Sequence, residues 1–195
     1  SQEAQIYEKI RHKSWSEIRE LSRDVRVQQG MSDRFEIGLK RSHLYLNYIK
    51  KVFGQMGLPE ELSYLPHVES SFNYKAYSKV GAAGIWQFMR STARLYKLRI
   101  SYAVDRRLDP ITATQAAARL LRDNYNRLGA WPLALTAYNH GPNSIARAVR
   151  KVGSKDIAEI VKKYRGRRFG FASKNFYASF VAAAEIAVEE KKYFP

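Results

Sequence analysis

Apolar residues return every three or four positions along almost the whole chain, the period of a helix that buries one side. Ser14 and Glu17 have capping-box spacing, and Gly30 closes the helix they open. A second helix is predicted from about Ser32 to Gln55, with Phe35, Leu39, Leu46, Ile49 and Phe53 on one face. Pro59 suits a first helical position, and Leu62, Leu65 and Val68 follow at intervals of three. Between Ser70 and Arg90 the period breaks, and Gly81 and Gly84 allow turns closed to other residues. Helical signals resume at Ser91. Asp109 and Pro110 then read as an N-cap and first helical residue, and Gly129 ends that helix. A short helix from Pro132 to about Asn139 follows, then others at about Asn143–Lys151, Asp156–Tyr164 and Ser173–Lys192. In the last, Phe176, Phe180, Ala183, Ala184 and Ala187 are expected to face inward. The pattern predicts an all-α single domain over 1–195, with one irregular loop region and room for a very small β element.

Composition narrows the chemistry. Hydrophobic residues make up 45% of 195, enough for a substantial core, so a disordered chain is excluded. With no cysteine, disulfides, a thiol nucleophile and thiolate metal sites are excluded too. His12, His43, His67 and His140 lie apart with no metal-binding pair, so neither metal nor organic cofactor is expected. No apolar run reaches the ~18 residues of a membrane span, and "SQEAQIYEKI" has no signal-peptide pattern. A formal net charge of +16 suits a polyanionic partner, although dispersed pairs such as Arg106-Arg107 also read as a solvated basic surface.

The irregular region contains one conspicuous acid. In "YLPHVESSFNYKAYSKVGAAGIWQFM", Tyr64 to Met89, Glu69 is the single carboxylate. Its spacing from Leu65 puts it at the edge of a buried face near a helix end. Burial disfavours the charged form, and a carboxyl kept protonated near neutrality can donate a proton to a leaving oxygen. The plainer reading is a surface glutamate at a frayed end. Ser70, Ser71, Asn73 and Ser78 supply neutral hydrogen-bonding groups, and Tyr74, Tyr77, Trp86 and Phe88 supply flat faces. Sugars bind through such mixtures, but aromatics at these spacings also fill cores.

"ES" at Glu69-Ser70, "GIWQ" at Gly84 to Gln87 and "AYN" at Ala137 to Asn139, in that order, resemble the motifs of the lytic transglycosylases of glycoside hydrolase family 23, which share the goose-type lysozyme fold. "LPHVESSFN", "GAAGIWQFM", "LTAYNHGP" and "FGFASKNFYASFVAA" look most like the membrane-bound D-type branch. The resemblance covers roughly Arg26 to Ala187. It implies a lysozyme-like helical domain with an N-terminal helical part, 1–57, and a catalytic core, 58–192. Glu69 corresponds to the catalytic acid and Tyr138 to the tyrosine whose hydroxyl contacts it. Ser70, Ser78, Gly84, Trp86, Gln87 and Phe88 correspond to the glycan-contacting region. Asn139 matches a cleft-shaping position, and Tyr177 an aromatic on the last helix that helps hold the acid, with Phe176 adjacent. Trp86 stands where many relatives have Met and His140 where many have Ala, which implies a larger aromatic wall and altered subsites.

Most glycosidases need two carboxylates, yet no second acid occurs from Ser70 to Val104. The resemblance implies why. The substrate's N-acetyl group assists departure at the muramic acid anomeric carbon, and Glu69 serves first as acid and then as base. The C6 hydroxyl closes a 1,6-anhydro ring without water. The implied partner is peptidoglycan, the location periplasm or cell envelope, and the expected state a monomer. The hydrolytic rival, a lysozyme on the same fold, would need Asp105, Asp109 or Asp123 to position water. A nucleic-acid binder finds support in "KKYRGRRFGF" but no recognised motif, so no nucleic-acid partner is expected. A silent glycan-binding domain is the third alternative.

Overall fold

Cap chemistry sets several of the helix boundaries in the computed structural model, which describes residues 31–194. Its α-helices are α1 (Met31–Ser42), α2 (Leu46–Gln55), α3 (Leu65–Ser70), α4 (Arg90–Leu95), α5 (Pro110–Leu128), α6 (Trp131–His140), α7 (Pro142–Val152), α8 (Ile157–Lys163), α9 (Phe171–Val188) and α10 (Glu190–Tyr193). Asp109 Oδ1 accepts from the amides of Ile111 and Thr112 at the start of α5, and Asp156 caps α8 through the Ala158 amide. Gly129, with φ 73°, follows α5, and Gly141, with φ 91°, turns α6 into α7. The capping pattern at Ser14–Gly30 lies outside the described residues.

Several boundaries depart from the periodicity. The expected helix from Ser32 to Gln55 is broken at His43–Tyr45. There Ser42 Oγ turns back to the Leu39 carbonyl, and the Leu44 and Tyr45 amides make i→i+3 bonds that tighten the chain. Pro59 is extended at ψ 136° and precedes a 3₁₀ turn, Glu60–Tyr64, instead of opening an α-helix. The last predicted helix is interrupted at Glu189, where α9 gives way to α10. Among the described residues extended pairing is confined to isolated bridges, Tyr77–Ala83, Ala83–Phe88 and Ile100–Asp105. The fold is all-α, as the periodicity predicts.

The chain divides into two compact units, whose described residues are 31–119 with 182–194, and 120–181. In the first, α1 packs on α3, and α2 packs on the 3₁₀ turn. Leu39, Ile49, Phe53, Leu65, Phe72 and Ile85 are almost fully buried there. In the second, Leu133, Ala137, Ile145, Ala148 and Ile160 form a core closed by Tyr164 and Phe169, with Tyr177 packed against it.

Candidate active site

Glu69 is the penultimate residue of α3, a helix of only 6 residues. The chain leaves it abruptly: Ser71 and Phe72 have φ 50° and 54°, left-handed values that side-chain-bearing residues seldom adopt. Such a conformation persists where the surroundings over-determine it. Here Phe72 is wholly buried edge-on to His67 at 4.6 Å, and its amide donates to the Pro66 carbonyl at 3.2 Å. Gly38 of α1 lets the turn come close, since a Cβ there would stand 3.1 Å from that of Ser71. The helix end is thus held from several sides. Burial pushes the Glu69 carboxyl up to about 8, and the negative end of the helix acts in the same direction. At neutral pH Glu69 is protonated, as a general acid must be.

Ser70 joins this helix end to the irregular loop by donating to the Ile85 carbonyl at 2.9 Å. Ser78 Oγ accepts from the Ala82 amide at 2.9 Å and fixes the turn before the glycines. Gln87, at φ 48°, folds its amide group back onto the Gly84 carbonyl at 2.8 Å and remains partly exposed. Trp86 and Phe88 depart from the expectation of an aromatic wall. Both are buried, at 0% and 2% exposure, and Trp86 Nε1 donates to Thr114 Oγ1 at 3.0 Å. Trp86 also packs on Phe53, ring centroids 5.7 Å apart. These side chains belong to the core, while Tyr74 and Tyr77 are the exposed aromatic faces beside them.

Arg107 is the residue sequence reasoning missed, having read it as part of a basic surface pair. Its side chain is fully buried. The guanidinium donates to both Asp105 oxygens, to the Gly81 carbonyl at 2.7 Å and to the Phe88 carbonyl at 2.9 Å, which clamps both ends of the glycine loop. Tyr77 adds a hydroxyl bond to Asp105 at 3.2 Å. The signal available in the chain was the Asp105-x-Arg107 spacing alone. Hydrogen bonds from Arg107 hold the Asp105 carboxyl below the usual range. Asp105→Asn should therefore cost about 3 kcal/mol by stranding a buried cation. Because the folded carboxyl has the lower pKa, its contribution is present above the ordinary value near 4 and lost as pH falls through the folded one. Acid melts should show the parent losing stability there and the Asn variant, already destabilised, losing less.

Three candidates lie in the second unit. Tyr138 and Asn139 occupy the last turn of α6, Tyr138 half-buried and Asn139 exposed. Ser173 Oγ on α9 stands 3.3 Å from Asn139 Oδ1 and 2.9 Å from His140 Nδ1, and so ties α9 to the "AYN" segment. Burial raises Tyr177 to about 12, which keeps it a neutral hydroxyl. Its neighbour Phe176 is buried at 6% exposure, which leaves Tyr177 as the polar aromatic of the pair.

A transglycosylase SLT domain family model matches residues 47–161, which hold Glu69, the glycine loop and the "AYN" segment. The chain belongs to the SLT transglycosylase family. Among named relatives, membrane-bound lytic murein transglycosylase D of Escherichia coli (strain K12) is 31% identical over 162 residues, 78% of this chain and 33% of the relative. A protein of Alteromonas sp. (strain M-1) named for tributyltin chloride resistance is 36% identical over 116 residues, 59% of this chain and 56% of that one. Membrane-bound lytic murein transglycosylase C of Photorhabdus laumondii is 31% identical over 138 residues, 64% of this chain and 38% of the relative. The chain thus spans about a third to a little over half the length of these relatives.

Proposed function

We propose that this SLT transglycosylase-family chain cleaves the β-1,4 bond between N-acetylmuramic acid and N-acetylglucosamine in peptidoglycan without water. The observation that carries this is the carboxyl of Glu69, held protonated to about pH 8 at a locked helix end. In the cleavage step its proton goes to the glycosidic oxygen as the C1–O bond breaks, and the substrate N-acetyl group supports the electron-deficient C1. The carboxylate left behind then takes the proton of the C6 hydroxyl while that oxygen bonds to C1. The products are a 1,6-anhydromuramic end and a free 4-hydroxyl, and Glu69 ends protonated again. One acid of intermediate pKa serves both steps, because it gives and regains a proton near neutrality.

The geometry favours this over hydrolysis. Of the three acids the hydrolytic rival could use, Asp105 is taken up by Arg107 and Tyr77 and Asp109 by Arg106 and the α5 cap, which narrows that rival to Asp123. Burial opposes ionisation of Asp109, yet hydrogen bonds from Arg106 and the cap amides hold its pKa low. Around Glu69 we assign glycan contact to the backbone of Gly84–Trp86, the Gln87 amide and the exposed rings of Tyr74 and Tyr77. The family resemblance assigns Tyr138 the tuning of the acid, and Asn139 and Tyr177 supporting roles. The substrate places the protein in the bacterial envelope; among the described residues no helix is long and apolar enough to cross a membrane.

Digestion of purified sacculi, followed by mass spectrometry, tests the reaction. Anhydromuropeptides, one water lighter than reducing ends and free of label in ¹⁸O-water, are expected at early times. Dominant reducing ends with ¹⁸O at C1 would establish a lysozyme. Tyr138→Phe deletes one hydroxyl whose hydrogen bond is worth about 0.5–1.5 kcal/mol. It should lower turnover by about three- to ten-fold and displace the alkaline limb of the pH–rate profile. An unmoved limb at normal rate would reduce Tyr138 to packing.

A further inference from the structure

The second unit carries a strong excess of positive charge. Over its described residues, 120–181, there are 12 Lys and Arg against 3 acids, Asp123, Asp156 and Glu159. Two of those acids are engaged locally: Asp156 caps α8, and Glu159 pairs with Lys163 at 3.0 Å. Arg165, Arg167 and Arg168 stand between α8 and α9, where the backbone shapes their placement. The Phe169 amide donates to the Gly166 carbonyl at 2.9 Å, which closes a tight turn with Arg167 and Arg168 at its two corners. Both side chains are exposed.

This turn is anchored on both sides. Gly166 lies flat on the Tyr164 ring, and a Cβ there would fall 2.5 Å from Tyr164 Cε1. Phe169 is buried at 3% exposure, edge-on to Tyr164 at 5.4 Å and to His140 at 5.1 Å. His140 directly follows the "AYN" segment, so the turn that carries the two arginines packs beside the segment of Tyr138 and Asn139. Each exposed guanidinium carries a planar fork of N–H donors that suits carboxylates, and the turn sets two of them on adjacent residues.

We propose that Arg167 and Arg168 form a carboxylate-reading subsite that engages the peptide stems carried by the muramic acid residues, so that the enzyme favours stem-bearing over stripped glycan. The inference rests on the peptidoglycan reading above and adds a specificity determinant to it. The stem is the carboxylate source attached to the proposed substrate, and the turn packs beside the segment whose Tyr138 and Asn139 are assigned to the site.

The test uses the double variant Arg167→Gln/Arg168→Gln in two backgrounds. Affinity for defined glycan fragments, with stems intact or removed by an amidase, is measured on Glu69→Gln protein with and without the double change, so the readout needs no turnover. Steady-state cleavage of the same fragments is measured on active protein. The intact turn should bind stem-bearing fragments about ten-fold more tightly than stripped ones, and the double variant should lose that preference. In cleavage the loss should appear in KM for stem-bearing glycan, with kcat retained. Equal weakening on both fragments would show general attraction to polyanions and overturn the proposal, as would an unchanged preference. A chain that binds stem-bearing glycan selectively but releases no anhydro product would refute the proposed reaction and leave this subsite standing. Arg167→Lys/Arg168→Lys keeps the charge and removes the fork; full recovery of the preference by it would point to charge alone and overturn the fork.

Discussion

Glu69→Gln should lower turnover by at least about 10²–10⁴, the range of a positioned general acid, while the protein gains stability at neutral pH. The amide keeps the shape of the side chain and has no proton to give. In the parent, cleavage should fall as pH rises through about 8, where the half-buried carboxyl loses its proton. The stability effect has the opposite sign to the usual carboxylate case, because the folded pKa lies above the unfolded value near 4.5. Below the unfolded value both states hold the proton and the group is neutral in the balance. Between the two values the unfolded chain releases the proton and the folded chain keeps it. Folding stability therefore declines by about 1.4 kcal/mol per pH unit, levelling off above the folded pKa. At pH 7 the penalty approaches about 3 kcal/mol, and Gln, which does not titrate, escapes it. Denaturation at pH 5, 7 and 9 should show the variant pulling ahead of the parent as pH rises. Parallel stability curves would mean that the acid is not held protonated by burial. A folded variant with normal turnover would remove Glu69 from the chemistry.

The spacing from Leu65 made the helix end at Glu69 legible. Position alone still read the acid as a surface glutamate, and the ordered "ES", "GIWQ" and "AYN" motifs singled it out. The cap at Asp109 and the stop at Gly129 were legible because each acts on residues next to it in the chain. The break at His43–Tyr45 carries no Gly or Pro to announce it; it comes from Ser42 bonding backwards and from packing. Trp86 and Phe88 were expected to face sugar because aromatic residues suit both sugar and core. For Trp86 the partners Phe53 and Thr114, distant in sequence, decide for the core, and Phe88 is buried with it. Arg107 was hidden most completely. A charged residue is read as solvated unless its buried acceptors are known, and two of them are backbone carbonyls 19 and 26 residues away. Tertiary contacts of this kind leave little trace in periodicity.

Gly84→Ala should damage the site more than any other single-methyl change in the loop, and Gly81→Ala provides its control. Both glycines adopt left-handed values, φ 79° at Gly84 and 89° at Gly81. Each alanine therefore carries a conformational cost of about 1–2 kcal/mol. The two differ in what the new methyl meets. At Gly81 nothing lies within 4 Å, whereas at Gly84 the Cβ would stand 1.8 Å from the Arg107 carbonyl oxygen and 2.8 Å from its carbon. That carbonyl cannot retreat cheaply, because the Arg107 side chain is locked to Asp105, Gly81 and Phe88. Overpacking adds about 1–3 kcal/mol, so the Gly84 variant should lose about 2–5 kcal/mol in all, a large part of a domain's typical 5–15. The strain has a second outlet in function. If the loop yields, the Ile85 carbonyl leaves Ser70 and the Gln87 amide loses its seat on Gly84. Activity should then be lost even at temperatures where the variant remains folded, while Gly81→Ala keeps most of it. Paired melting curves and turnover measured well below both midpoints separate the two effects. Equal melting temperatures and equal activity in the two alanine variants would show that the Gly84 backbone does not need its close approach to Arg107.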